Sequence, residues 1–226
     1  FMYTTMLIAV PTGVKVFNWL ATMWRGSMTF ETPMLFAIGF IIMFTIGGLS
    51  GLMLGVAPVD TQYHDTYFVV AHFHYVLVTG ALFAIIAAFY YWIPKWTGHM
   101  YDERLGKIHF WTMFLGFNGT FLPMFRVGMM GMNRRIADYP EYLAGQNRAV
   151  SMAGFFLGAS LLVFLWNWIR SWRSGAPAGN NPWNLESVEW TISSPPPLEN
   201  FDSPPNLDRD PYPYDVEPPI GEVVGP

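Results

Sequence analysis

Three of the five histidines of this chain and a carboxylate fall within eleven residues, in the stretch Tyr63-His64-Asp65-Thr66-Tyr67-Phe68-Val69-Val70-Ala71-His72-Phe73-His74-Tyr75-Val76-Leu77. His72 and His74 lie inside an apolar run, where an imidazole is costly to keep unless it binds something, so the stretch asks for a metal or a haem. On a helix successive side chains turn by ~100°, which points an i, i+2 pair onto opposite faces and makes chelation of one ion difficult. On a strand the same spacing would favour a shared metal, but the 28-residue apolar run from Thr66 to Ile93 argues for a helix. The helix gives two separate acceptors, one on each side. Axial ligation of two haem irons fits that arrangement and would wire the haems together. Hydrogen-bonded core groups or a proton relay would use the same residues without a metal.

Other ionisable groups invite comparable readings. His64 and Asp65 precede the helix, where Asp65 or Thr66 can serve as an N-cap, or His64 and Asp65 can hold a hard cation whose shell water completes. Lys15 falls near the middle of an apolar run, where an isolated ammonium costs at least ~2.5–3.5 kcal/mol. It must face protein or water, either as a relay with Thr12 one turn earlier or as a paired or snorkelling lysine. Arg134 and Arg135 are adjacent cations that want an anion: carboxylate or phosphate, with haem propionates fitting, or else lipid head groups or a salt bridge to Asp138 or Glu141.

The elements that position these groups are membrane helices. The chain has 226 residues, 52% of them hydrophobic, 18% aromatic and only 12% charged. Apolar runs of bilayer-spanning length predict an all-α membrane protein with five transmembrane spans at about 1–24, 34–57, 66–93, 108–130 and 149–169. Pro33 suits the first turn of the second span, Gly47-Gly48 and Gly51 permit close helix contact, and Pro123 and Arg126 interrupt the fourth. Residues 1–173 form the helical region, and 174–226 read as an extended, irregular, acidic tail holding twelve of the eighteen prolines.

Zero cysteines exclude disulfides, thiolate metal sites and covalently attached haem. No basic tract with interleaved aromatics points to nucleic acid. Loop cations favour the side carrying Arg25, Lys95, Arg104, Lys107, Arg170 and Arg173 over the side with Arg134, Arg135 and Arg148, which puts the tail in the cytoplasm or its topological equivalent. The chain opens at Phe1 inside an apolar run, which reads as the middle of a helix and as an N-terminally incomplete polypeptide.

The stretch His64 to Leu77 resembles the haem-binding signature of subunit I of cytochrome c oxidase, in the haem–copper oxidase superfamily. Pro11-Thr12-Gly13-Val14-Lys15-Val16-Phe17 is similar to the proton-channel helix of that family, Met132 to Pro140 to its Arg-Arg loop, and Ser193-Ser194-Pro195-Pro196-Pro197 with Asn200-Phe201 to the tail after its last helix. The resemblance implies that His72 ligates the iron of haem a3, where oxygen is reduced, and that His74 is an axial ligand of haem a, with Phe73 between them. It further implies Mg2+ at His64 and Asp65, Asp60 near the haem a3 propionates, Arg134 and Arg135 on haem propionates, and Thr12 and Lys15 in a proton channel to the binuclear centre. The five spans would be the last five of a twelve-helix subunit. Copper at the binuclear centre would then have its ligands outside this segment, and activity would need the remainder of subunit I.

Further partners implied are a copper-bearing subunit II, subunit III, cytochrome c and membrane lipids, in a bacterial plasma membrane or mitochondrial inner membrane. Departures are Asn133, where Pro commonly precedes the Arg pair, and Phe125-Arg126, where a His-aromatic pair is frequent. The acidic extension after Phe201 has no counterpart and reads as a docking segment for another subunit. A quinol oxidase of the same superfamily is an alternative disfavoured by the His64-Asp65 pair. A haem-free proton channel or transporter built on His72, His74 and Lys15 is the alternative from another class, and a structural scaffold half of a split protein is a third.

Overall fold

In a computed structural model, residues 1–205 apart from 186 and 202 are described, and among them the architecture is helical, with two isolated bridges and no strand. Helix α1 (Met2–Met23) continues through Pro11 and is anchored on α2 (Thr32–Gly55) through Trp19, whose ring meets Phe40 edge-on at 4.9 Å. Helix α3 (Ala57–Tyr63) is a short element inside the segment expected to be a loop, set off from α2 by the extended Val56. Pro58 falls at its start, where a proline without an N–H costs nothing.

The span Tyr67–Thr97 is one continuous rod of three parts: α4 (Tyr67–Phe73), a π-helical stretch (His74–Phe83) and α5 (Ala84–Thr97). It runs past Pro94, where termination was expected, and stops at Gly98, whose positive φ of 73° and N–H bond to Pro94 O close the helix. Helix α6 (Glu103–Met129) begins earlier than the expected run because the Asp102 carboxylate accepts from Arg104 N and Leu105 N at 2.9 and 3.2 Å. Helix α7 (Ala144–Ser174) also starts earlier, behind a short 3₁₀ turn at Glu141–Leu143.

Among the described residues, four segments are long and apolar enough to cross a membrane: Met2–Met23, Thr32–Gly55, Tyr67–Thr97 and Glu141–Ser174. Helix α6 has 27 residues, about 40 Å of helix, but its length is shared with Glu103, Arg104, Lys107, His109, Asn118 and Arg126. It packs against α2, α4 and, most extensively, α7.

The core is aromatic. Phe36, Tyr75, Phe83, Tyr90, Phe110 and Phe117 are buried together between α2, the third span and α6. Glycines set the spacing where helix backbones meet: a Cβ on Gly47 would lie 2.9 Å from the Tyr75 carbonyl carbon, one on Gly116 2.9 Å from Leu157 Cα, and one on Gly128 would collide with the Phe68 backbone. Polar side chains fasten the ends. The Glu103 carboxylate accepts Thr32 N at 2.8 Å, and Asn167 makes a reciprocal pair of bonds to the Asp102 backbone at 3.0 and 2.9 Å.

The described part of the tail is irregular apart from one turn at Val188–Trp190, but it folds back on α5 where an extended course was expected. Lys95 explains this: its buried ammonium donates to Asn180 O, Ile192 O and Ser193 O at 3.1, 2.8 and 3.4 Å. Most of the acidic extension lies outside the described residues.

Gly116→Val would drive two methyl groups into the Leu157 backbone, an overpacking that costs about 1–3 kcal/mol. The expected outcome is a lower thermal unfolding midpoint of the purified protein; an unchanged midpoint would show that α6 and α7 separate freely.

Candidate functional site

His72 and His74 leave the third span toward different neighbours. His72, half-buried, points at α2: Nδ1–H donates to Gly47 O at 3.0 Å, with Ser50 Oγ 2.9 Å from the same nitrogen. The Ser50 hydroxyl donates its own proton to Gly47 O at 2.7 Å, so its lone pairs face the imidazole. A carbonyl can only accept, which places the His72 proton on Nδ1 and leaves Nε2 as a lone pair. That nitrogen has no hydrogen-bond partner among the described residues.

Gly51 makes room for the ring, since an added Cβ would sit 2.9 Å from His72 Cε1 and 3.6 Å from Nε2. The imidazole borders a cavity of about 470 Å³ between α1 and α2, which Thr12, Gly48, Phe44 and Gly51 also line. The glycine cradle and the cavity leave space beside the His72 ring.

His74 faces α6. Its Nδ1–H donates to Val70 O at 2.8 Å, one turn back on its own helix, and its ring stacks on Phe121 with centroids 4.2 Å apart at 17°. The same reasoning puts the proton on Nδ1 and the lone pair on Nε2. A neutral imidazole tethered through one nitrogen and open at the other is the state a metal requires of histidine. The donor chemistry at both positions therefore fits axial ligation of haem iron.

The π-helical stretch begins at His74. Its i, i+5 bonding changes the direction of the side chains that follow. Tyr75 is thereby buried against α6, where its hydroxyl donates to Asn118 Oδ1 at 2.7 Å and its ring meets Phe117 edge-on at 5.0 Å. Asn118 is held in turn by donating to Phe114 O at 2.8 Å.

A second group lies at the start of the span. His64 Nε2 is 3.4 Å from Asp65 Oδ2, and its Nδ1 is 3.9 Å from Asp60 Oδ2 on α3. Arg134 Nε and Nη2 both donate to Asp65 Oδ1 at 2.8 Å. The backbones are stitched as well, with Arg134 N on Asp65 O at 2.8 Å and Tyr67 N on Met132 O at 3.0 Å. Asp65 and Arg135 hold positive φ values of 55° and 63°, conformations disfavoured for non-glycine residues that this stitching maintains.

Two contacts left open by the sequence are made in the fold. Arg134 finds its carboxylate in Asp65, not in Asp138 or Glu141, and the exposed Arg135 makes no ion pair among the described residues. Thr66 is the cap, accepting Phe68 N at 3.2 Å, so Asp65 is spared that duty. Among the described residues no group of three or more His, Asp or Glu gathers around one point. His64 and Asp65 Oδ2 offer two donors, a set that suits Mg2+ if water and groups outside it complete the octahedron.

On α1 the expected pair divides. Thr12 lines the His72 cavity and bonds its hydroxyl to Ile8 O at 3.1 Å, while Lys15 lies on the exposed side of the helix. The residues that sequence reasoning missed are Ser50, Gly51 and Phe121, which hold the two imidazoles. The signal at Gly51 was its place beside Gly47-Gly48, which reads as a helix contact and not as a seat for a ring, while Ser50 and Phe121 carried no signal of their own.

Arg134 holds the Asp65 carboxyl below the usual carboxylate range chiefly by its hydrogen bond, with His64 and Arg135 adding attraction and desolvation opposing. A lowered pKa means that the folded state binds fewer protons than the unfolded one. The contribution is therefore present above the ordinary aspartate value of about 3.9 and is lost as pH falls through the lowered folded value. Arg134→Met should flatten that acid limb of the stability curve; an identical limb in the variant would show that the pair does not latch the two loops.

The family model described as cytochrome C and quinol oxidase polypeptide I matches residues 1–176. Cytochrome c oxidase subunit 1 of Thermostichus vulcanus is 49% identical over 217 residues, which is 96% of this chain and 39% of that protein. Cytochrome c oxidase subunit 1 of Cereibacter sphaeroides is 50% identical over 208 residues, 91% of this chain and 37% of that protein. The chain thus spans less than two fifths of the length of these curated relatives. Among solved structures, a heme-copper terminal oxidase dimer determined by cryo-electron microscopy matches with a TM-score of 0.58 and 19% identity, over 64% of this chain and 27% of that one. That likeness concerns the fold.

Proposed function

Because this chain belongs to the cytochrome c and quinol oxidase polypeptide I family, we propose that it is part of the catalytic subunit of a terminal respiratory oxidase that passes electrons from cytochrome c to a haem–copper centre, reduces O2 to water and translocates protons. The observation that carries this reading is the pair of imidazoles on one helix, each tethered through Nδ1 and open at Nε2, one toward α2 and one toward α6. His72 would hold haem a3 and His74 haem a; when bound, these groups supply the one-electron redox chemistry and the oxygen-binding iron that no side chain offers.

The chain's own residues set orientation and access. Gly47 O and Ser50 fix the His72 ring and raise the basicity of Nε2, as carbonyl partners do for metal-bound histidine. Val70 O does the same for His74, and the Phe121 ring restricts its rotation. The Thr12 hydroxyl borders the His72 cavity and can pass a proton there, with Lys15 one turn away as the donor that protein outside these residues would have to enclose.

At the other end of α4, His64 and Asp65 would hold Mg2+. The Asp65–Arg134 pair orients that carboxylate and leaves the Arg135 guanidinium for a propionate, with Asp60 close by. The copper ligands, the remainder of subunit I, the copper-bearing subunit II, subunit III and the cytochrome c dock would lie outside these residues. Residues 1–173 would act as the haem-binding unit and 174–226 as a Pro-rich tail whose described part packs on α5, in an energy-transducing membrane.

The test is spectroscopic, on the assembled complex. His72→Ala should abolish oxygen reduction and the carbon-monoxide-binding haem while low-spin haem a persists in the reduced-minus-oxidised spectrum. His74→Ala should remove the low-spin haem. Retained turnover in His72→Ala would sink the assignment, and exchanged outcomes would mean that the two faces are reversed.

A further inference from the structure

At the far end of the third span a second cleft, of about 880 Å³, opens between residues 27–34, the first turns of α2, α5 and tail residues 182–185. That volume lies in the range of ligand-binding clefts. Its lining is graded. Ser27, Thr29 and Glu31 come from the polar approach to α2, whereas Ala37, Ala87 and Ala88 come from within the helices. Trp92 and Trp96 of α5 are 37% and 49% exposed, which is how indoles sit at a membrane–water interface and places the cleft at headgroup level.

The third wall is built, not draped. Trp183 lies parallel to Tyr91 at 5.9 Å and 8°, and its Nε1–H donates to Tyr91 O at 2.9 Å. Trp190 Nε1–H donates to the Tyr91 hydroxyl at 2.7 Å, and Lys95 lies 4.9 Å from the Trp190 ring while bonding three tail carbonyls. Among the described residues, Glu31 is the one formally charged residue that lines the cleft. Burial and the neighbouring Glu103 push the Glu31 carboxyl up, with Lys107 partly opposing. Lys107 is paired to Glu103 at 3.6 Å. A carboxylate that makes no ion pair among the described residues, at the polar end of an apolar cleft, calls for a cationic head with hydrocarbon behind it.

We propose that this cleft holds one aminophospholipid, its primary ammonium on Glu31 and its upper acyl carbons over Ala37, Ala87 and Ala88. The tail is then a structural part of a lipid site, and Lys95 and Trp183 are the residues that keep its wall upright. Headgroups without a cation lack the ion pair and fill the cleft less well.

The assembled complex, delipidated and reconstituted, is exposed to phosphatidylethanolamine carrying a photoreactive diazirine on the first acyl carbons, or to the matching phosphatidylglycerol. Adducts on peptides covering residues 87–92 and 183–185 should favour the ethanolamine lipid about tenfold, the size of one charge-assisted hydrogen bond. Glu31→Gln should reduce labelling to the glycerol level without changing the visible spectrum of the complex, and Trp183→Ala should lower labelling by both lipids. Equal labelling by the two headgroups, labelling indifferent to Glu31→Gln, or a cleft without adducts because another subunit covers it would each overturn the proposal.

Discussion

The hydrogen bond from His72 Nδ1–H to Gly47 O is the contact on which the arrangement of the site turns. It crosses from one membrane helix to another, and it can form only because α2 and the third span approach to backbone contact at Gly47, against Tyr75, and because Gly51 leaves a gap for the ring. In a medium without water, an imidazole so tethered has one tautomer and one orientation. The cost of burying a polar ring is met by the carbonyl and by Ser50, the other nitrogen has no hydrogen-bond partner among the described residues, and the ring borders the cavity beside α1.

From that contact outward the helix does two jobs with two residues. His74 lies two positions on, so helical geometry turns it toward α6, where Val70 O and Phe121 replace Gly47 O and Ser50 as its holders. The π-helical stretch beginning at His74 lets the following residues, Tyr75 foremost, pack against α6 while the histidines keep their faces. Far from the imidazoles, the Asp65–Arg134 pair joins the loop before α4 to the loop after α6, which fixes where the span enters the bundle.

Much of this was legible in the chain. The i, i+2 histidines in an apolar run imply opposite faces, because helical rotation leaves little choice, and the absence of cysteine narrows the ligands to histidine, carboxylate and backbone. Four of the five expected spans recur among the described residues as long apolar helices, whereas α6 carries too many polar groups to join them. Helix ends were less readable: Asp102 starts α6 and Gly98 ends the third span through specific caps that compete with the apolar pattern. The short α3 and the π-helical register depend on packing and leave no periodicity. The sequence offers Arg134 a haem propionate, a lipid head group or its neighbours Asp138 and Glu141, whereas the carboxylate it meets, Asp65, is brought close by tertiary structure. The fold-back of the tail hangs on Lys95, which in sequence looks like an interfacial cation.

The central claim is that each imidazole offers Nε2 because Nδ1 is held by a carbonyl. Resonance Raman spectroscopy of the reduced assembled complex, prepared with histidine labelled with heavy nitrogen at Nε2 or at Nδ1, addresses it directly. The iron–imidazole stretching band should shift with the Nε2 label and stay in place with the Nδ1 label. A shift confined to the Nδ1 label, or a band indifferent to both, would contradict the account.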